Sequence, residues 1–151
     1  MQIQIRKGED SDRDAIAGFQ IAMAWETENY RLDPETVLKG VGAVLDNEKL
    51  GAYYVAVVEK KVVGSLLTTY EWSDWRNGTV LWIQSVYVDS SYRQRGIYTA
   101  LYSHIKRLVA SNDSLMGIRL YVDESNQKAM EVYARLGMNG EHYRVFEWMK
   151  E

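Results

Sequence analysis

Val86-Tyr87-Val88-Asp89-Ser90-Ser91-Tyr92-Arg93-Gln94-Arg95-Gly96-Ile97-Tyr98-Thr99-Ala100-Leu101 is the stretch whose reading decides the fold. The β-branched and aromatic run from Thr79 to Val88 reads as a buried, central strand. It passes into a loop carrying Arg93 and Arg95, and Gly96 then opens a helix with Ile97 and Leu101 as apolar contacts. The first turn of a helix presents N–H groups with no intrahelical partner and a partial positive charge. That end of a helix suits phosphate oxygens; guanidinium groups add formal charge, and glycine lets an anion approach the backbone. Taken alone, the same residues also fit a surface loop with two solvated arginines.

Downstream, the helix runs from Gly96 to about Ala110, and Ile118-Arg119-Leu120-Tyr121-Val122 reads as a strand. Strands on either side of one helix are predicted to run parallel. Asn126 to Leu136 is a further helix with Gly137 in the C-cap position, and His142 to Met149 is a last strand. Upstream, residues 2–6 alternate as a strand, and Ser11 to about Tyr30 is a helix with Ser11 or Asp12 as N-cap. Asp33 caps a second helix, with Pro34 at its first position, running to about Leu45. Ala52–Val58 and Val62–Tyr70 form a hairpin about Glu59-Lys60-Lys61, and Asn77-Gly78 turns the chain into the central strand. The predicted order is β-α-α-β-β-β-α-β-α-β: an α/β (α+β) fold with a mixed, mostly antiparallel six- to seven-stranded sheet flanked by about four helices.

The length of 151 residues fits one domain, taken as residues 1–151. A net charge of −3 argues against a nucleic-acid partner. No apolar run approaches the ~20 residues that cross a bilayer, and the alternating start is unlike a signal peptide, so the expected setting is cytoplasmic, without a membrane partner. Cysteine is absent, which excludes disulfides, thiol nucleophiles and thiolate metal sites. His104 and His142 lack ligand-like spacing, and no metal is expected.

Residues 93–98 fit Arg-x-x-Gly-x-[Gly/Ala] except at the last position, where Tyr98 stands. A second pattern follows: a strand, then Asn-x-x-Ala-x-x-x-Tyr-x-x-x-Gly-[Phe/Met], supplied by Asn126, Ala129, Tyr133, Gly137 and Met138. With these two motifs the sequence resembles the GNAT (GCN5-related N-acetyltransferase) superfamily over about residues 79–138. The resemblance implies an acyltransferase of the acetyltransferase type with acetyl-CoA as co-substrate. It implies that backbone N–H groups of Gln94, Arg95, Gly96, Ile97, Tyr98 and Thr99, with the Arg93 and Arg95 side chains nearby, cradle the coenzyme A diphosphate. It also implies that the backbone of Val86, Tyr87 and Val88 pairs with the pantetheine arm as an added strand would. Asn126 and Tyr133, about two helical turns apart, face the same way. The asparagine can then bond a pantetheine amide, and the tyrosine can serve as general acid toward the departing thiolate. Each has a plainer reading, Asn126 as a cap and Tyr133 as core.

The acceptor side is less specified. Relatives place a glutamate base two residues before the Val-Tyr-Val segment, where this chain has Gln84. Glu26, Glu28, Glu71 and Asp74 are candidates to act as base through water; otherwise the amine arrives neutral and the enzyme supplies proximity. Trp25, Trp72, Trp75 and Trp82, interleaved with those acids, either line an aromatic, acidic pocket for a cation or belong to the core or an interface. The expected partner is a small-molecule or peptide primary amine, and a homodimer is compatible with the sequence. Gln84 and Tyr98 also fit a non-catalytic acyl-coenzyme A binding or sensing module, or a protein that keeps the fold without the ligand.

Overall fold

Five strands lie in chain order in one sheet of the computed structural model, which describes residues 1–150. They are β1 (Gln4–Lys7), β2 (Ala52–Val58), β3 (Lys61–Ser73), β4 (Gly78–Val88) and β5 (Leu115–Arg119). Helices α1 (Arg13–Glu28) and α2 (Pro34–Asp46) connect β1 to β2, and α3 (Ile97–Ser111) connects β4 to β5. The first three pairings are antiparallel and β4–β5 is parallel, as a helical crossover requires. All of this belongs to a unit spanning Met1–Arg119; a second unit begins at Leu120 and contains α4 (Gln127–Arg135).

The two faces of the sheet are read from β2. Tyr53 and Val55 join Ile16 and Ala17 of α1 and Val41 of α2 in one buried cluster. Tyr54, between them, points the other way and meets His104 of α3, ring centroids 5.4 Å apart. Successive side chains of a strand alternate faces, so α1 and α2 cover one face and α3 the other. With both faces covered, the near-continuous apolar run of β2 follows.

Local chemistry sets the element ends. The Asp33 carboxylate accepts from Thr36 N at 3.2 Å and Pro34 fills the first position of α2, as expected from sequence. Asp12 does not cap α1 through its side chain. Its buried carboxylate accepts from Arg6 at 2.8 and 3.0 Å and from Glu9 N at 2.7 Å, tying β1 to the start of α1. α1 ends at Glu28 because Asn29 turns left-handed at φ 52°. Gly137, at φ 89°, closes α4 while its N–H donates to Ala134 O at 3.0 Å.

Three expectations are corrected. The sheet among the described residues has five strands, not six or seven. The strand expected at 118–122 lies at Leu115–Arg119, because pairing with β4 starts directly after the Asn112 turn, where Thr79 N donates to Ser114 O at 2.9 Å. The strand expected over 142–149 is absent. Its adjacent apolar pairs, Val145-Phe146 and Trp148-Met149, break the period of two, and no ladder forms there among the described residues. Among the described residues, no helix is long and apolar enough to cross a membrane.

Candidate functional site: a splayed strand edge and a helix N-terminus

The β4–β5 ladder runs from Thr79–Leu115 to Trp82–Arg119 and stops, although β4 continues to Val88. Beyond Trp82, β4 is paired only with β3, leaving the edge of 83–88 without a β5 partner. An unpaired edge offers a row of backbone donors and acceptors to an extended ligand. The edge is also bent. Leu67 pairs with Gln84 and Ser65 with Tyr87, so β4 carries one more residue than β3 over this interval, and Ser85 sits at φ 53°. This β-bulge re-aims the backbone immediately before Val86-Tyr87-Val88. Positive φ at a non-glycine residue is conformationally costly and marks a place the surrounding structure holds deliberately. Sequence reasoning missed it, since no glycine or turn residue signals a bulge here.

The chain then passes through a 3₁₀ turn, Ser90–Tyr92, started by the Asp89 carboxylate accepting from Ser91 N at 2.9 Å. Gln94 (φ 62°) and Gly96 (φ 83°) are both left-handed. A Cβ at Gly96 would meet nothing within 4 Å, so conformation, not crowding, asks for glycine, and the space before the helix is open. The first intrahelical bond of α3 runs from Ala100 N to Gly96 O, 3.0 Å, so the N–H groups of Ile97, Tyr98 and Thr99 precede the ladder. The Ile97 side chain is buried, Tyr98 is half-buried and Thr99 is exposed. Arg95 lies over the Tyr92 ring at 5.4 Å, and Lys61 lies 5.6 Å from the same ring, adding a cation that the sequence reading did not place here. Backbone amides ahead of the helix ladder, a glycine start and two cations suit a diphosphate.

Arg93 is differently engaged. Its Nη2 donates to Glu26 of α1 at 2.7 Å, its Nε donates to the Val88 carbonyl at 2.9 Å, and its guanidinium lies 5.2 Å from the Tyr87 ring centroid. The Tyr87 hydroxyl donates to the second oxygen of Glu26. Tyr87 also meets Phe19, ring centroids 5.4 Å apart. Hydrogen bonds from Tyr87 and Arg93 hold the Glu26 carboxyl below the usual glutamate range, and burial, reinforced by Glu26, pushes the Tyr87 phenol up to about 12.

A second network lies across β3, β4 and β5. Glu71 accepts from Trp82 Nε1 at 2.7 Å and from Arg119 Nη1 at 2.9 and 2.7 Å. The indole donor, then the guanidinium, hold the Glu71 carboxyl below its usual range. Gln84 Nε2 donates to Thr69 Oγ1 at 2.6 Å on the same face. Both glutamates are thereby made weaker proton acceptors. Glu28, at the end of α1, and Asp74, in the turn after β3, are exposed. The four tryptophans are not gathered together. Trp82 is paired with Thr69 and Trp72 with Thr79, which places them on opposite faces of the sheet, while Trp75 is 91% exposed and Trp25 lies under Arg31 at 4.9 Å.

In the second unit, the Asn126 side-chain oxygen caps α4 by accepting from Ala129 N at 3.1 Å. Tyr133 is half-buried seven residues on, and burial pushes its phenol up to about 12. It therefore keeps its proton at neutral pH, as a general acid must.

Comparison with known proteins accords with this geometry. The sequence matches the acetyltransferase (GNAT) family over residues 10–138. It is 43% identical to a possible acetyltransferase from Clostridium difficile 630, whose crystal structure superposes with a TM-score of 0.93 over 100% of this chain and 99% of that one. The aminoglycoside N-acetyltransferase AAC(6')-Iy in complex with CoA shares the fold at 20% identity, with a TM-score of 0.78 over 99% and 95% of the two chains. An aminoglycoside acetyltransferase from an uncultured soil metagenomic sample, in complex with sisomicin, does so at 17% identity and a TM-score of 0.75, over 99% and 96%. No curated protein matches significantly. With the family matched over residues 10–138 and a 43% identical relative aligned from end to end, this chain belongs to the GNAT acetyltransferase family.

Proposed function

We propose that this protein, acting as one domain over residues 1–151, transfers an acetyl group from acetyl-CoA to a primary amine of a small-molecule or peptide acceptor by direct attack in a ternary complex. The observation that carries the reading is the unpaired, bulged edge of β4 running into the glycine-started N-terminus of α3. The edge at Val86–Val88 suits the amide-rich pantetheine arm, and the amides of residues 94–99 with Arg95 suit the diphosphate. Bound there, the co-substrate supplies an activated thioester carbonyl. The acceptor nitrogen forms the new bond to that carbonyl carbon, the C–S bond breaks, and Tyr133 passes its proton to the sulfur and regains one from solvent. Asn126 holds a pantetheine amide through its NH2 group, since its oxygen is the helix cap.

Proton removal from the amine is assigned to solvent. Glu26 and Glu71 are held in ion pairs that weaken them as bases, and Gln84 cannot accept a proton at neutral pH. Glu28 remains a candidate through water only. The chain's contribution is then alignment of a neutral amine, which by itself supplies several kcal/mol of barrier lowering (about 7–11 at the upper end).

The test is release of coenzyme A thiol by the purified protein over a panel of primary amines that includes aminoglycosides and lysine peptides, with calorimetry of coenzyme A binding alongside. Turnover with any amine supports the reading. Tight coenzyme A binding with no turnover across the panel would leave the second reading, an acyl-coenzyme A sensing module, which the amide at position 84 and the two ion-paired glutamates favour.

A further inference from the structure

We propose that Arg93, Glu26 and Tyr87 form a positioning device that holds the open edge of β4 for the donor, with Arg93 acting through Glu26 and the Val88 carbonyl and not as a phosphate ligand. The inference rests on the proposed acetyl-CoA reading and departs from what the loop motif implied for Arg93.

The direction of the strand groups carries the argument. Asp89 N donates to Val63 O at 2.8 Å, so the backbone groups of residue 89 face β3. Backbone groups alternate sides along a strand, which turns those of Val88 away from β3 and onto the open edge. The Val88 carbonyl is the acceptor that Arg93 Nε occupies at 2.9 Å. Arg93 therefore ends the free track at Val88 and leaves the preceding positions for an incoming strand-like ligand. The guanidinium cannot swing toward a phosphate without giving up this bond, the 2.7 Å pair with Glu26 and its place 5.2 Å from the Tyr87 ring. Glu26, on the last turn of α1, receives both Arg93 and the Tyr87 hydroxyl, one on each oxygen. A single carboxylate thus joins α1 to the β4 residue whose backbone follows the bulge and to the loop that leads to Gly96. The electrostatic work at the phosphate end falls to the amides before α3 and to Arg95.

The test is a double-mutant cycle of Glu26→Gln and Arg93→Gln, read by calorimetry of coenzyme A and by kcat/KM with acetyl-CoA and with acetyl-pantetheine, which has no phosphates. Each single variant is expected to weaken coenzyme A binding about threefold to tenfold, and the double variant no further. The loss should be equal for acetyl-pantetheine, because the strand edge and not a phosphate contact is disturbed. Tyr87→Phe, which removes only the hydroxyl, should give a smaller loss in the same direction and keeps the test open if a charge variant folds poorly. A loss on Arg93→Gln confined to the phosphate-bearing donor, with Glu26→Gln unchanged, would make Arg93 a phosphate ligand and overturn the proposal. Additive losses would also overturn it, showing that Arg93 and Glu26 act independently on donor binding. Absence of coenzyme A binding by the unmodified protein would instead defeat the acetyl-CoA reading and this inference together.

Discussion

Arg119 at the end of β5 reaches across β4 to place its Nη1 2.9 and 2.7 Å from the two carboxylate oxygens of Glu71 on β3. The pair spans the sheet where β4 and β5 stop pairing, since Arg119 is opposite Trp82, the last β4 residue in the ladder. A carboxylate shared between a guanidinium and an indole N–H is stabilised as the anion, which makes it a counter-charge and a poor base.

Glu71→Gln should therefore cost less than about tenfold in kcat/KM, since the amide can still accept from Trp82 and only the ion pair is lost. Steady-state kinetics over an amine panel measure it. A loss beyond about a hundredfold would restore Glu71 as the catalytic base.

The buried Asp12 carboxylate predicts a pH-dependent stability. Burial alone would raise its pKa, but Arg6 and the Glu9 N–H outweigh that and hold it below the usual aspartate range. A depressed native pKa stabilises the fold above the unfolded value of about 3.9 and ceases to do so as pH falls through the lower native one. Asp12→Asn should lower unfolding free energy by about 2 kcal/mol at pH 7 and flatten the acid limb of stability between about pH 5 and 2. Chemical denaturation across pH checks both.

Gly96 stands at φ 83° with open space around the position of a Cβ. Gly96→Ala should cost about 1 kcal/mol of stability from conformation alone, with modest loss of coenzyme A affinity. Gly96→Asp adds a negative charge where the α3 amides would meet phosphate and should reduce that affinity by more than about a hundredfold. Thermal denaturation and calorimetry separate the two effects.

Burial holds the Tyr133 proton up to about pH 12, so the rate should show no loss from phenol ionisation below about pH 11. Tyr133→Phe should lower kcat about a hundredfold while coenzyme A affinity stays unchanged. Equal kcat in the variant would remove the phenol from the mechanism.

Much of this was legible in the linear chain. The Thr79–Val88 run, the glycine at 96 and the Asn126–Tyr133–Gly137 spacing are local patterns whose physics acts within a few residues, and they marked β4, the α3 start and the end of α4, although β3 and not β4 is the middle strand of the sheet. Asp33-Pro34 announced α2 for the same reason. Pairing is not local. Whether 115–119 or 118–122 joins β4, and whether 142–149 pairs at all, depends on which edge is presented to it, so periodicity misplaced one strand and added another.

Sequence by itself determined the family of structure and the strand–loop–helix run from Thr79 to the start of α3, because turn, cap and alternation rules are written in neighbouring residues. Only the tertiary structure decided which charges meet. Arg93 and Glu26 are 67 positions apart, and Glu71 and Arg119 are 48 apart. An ion pair depends on a few ångströms through space, a distance that sheet register and helix packing set and that separation along the chain does not.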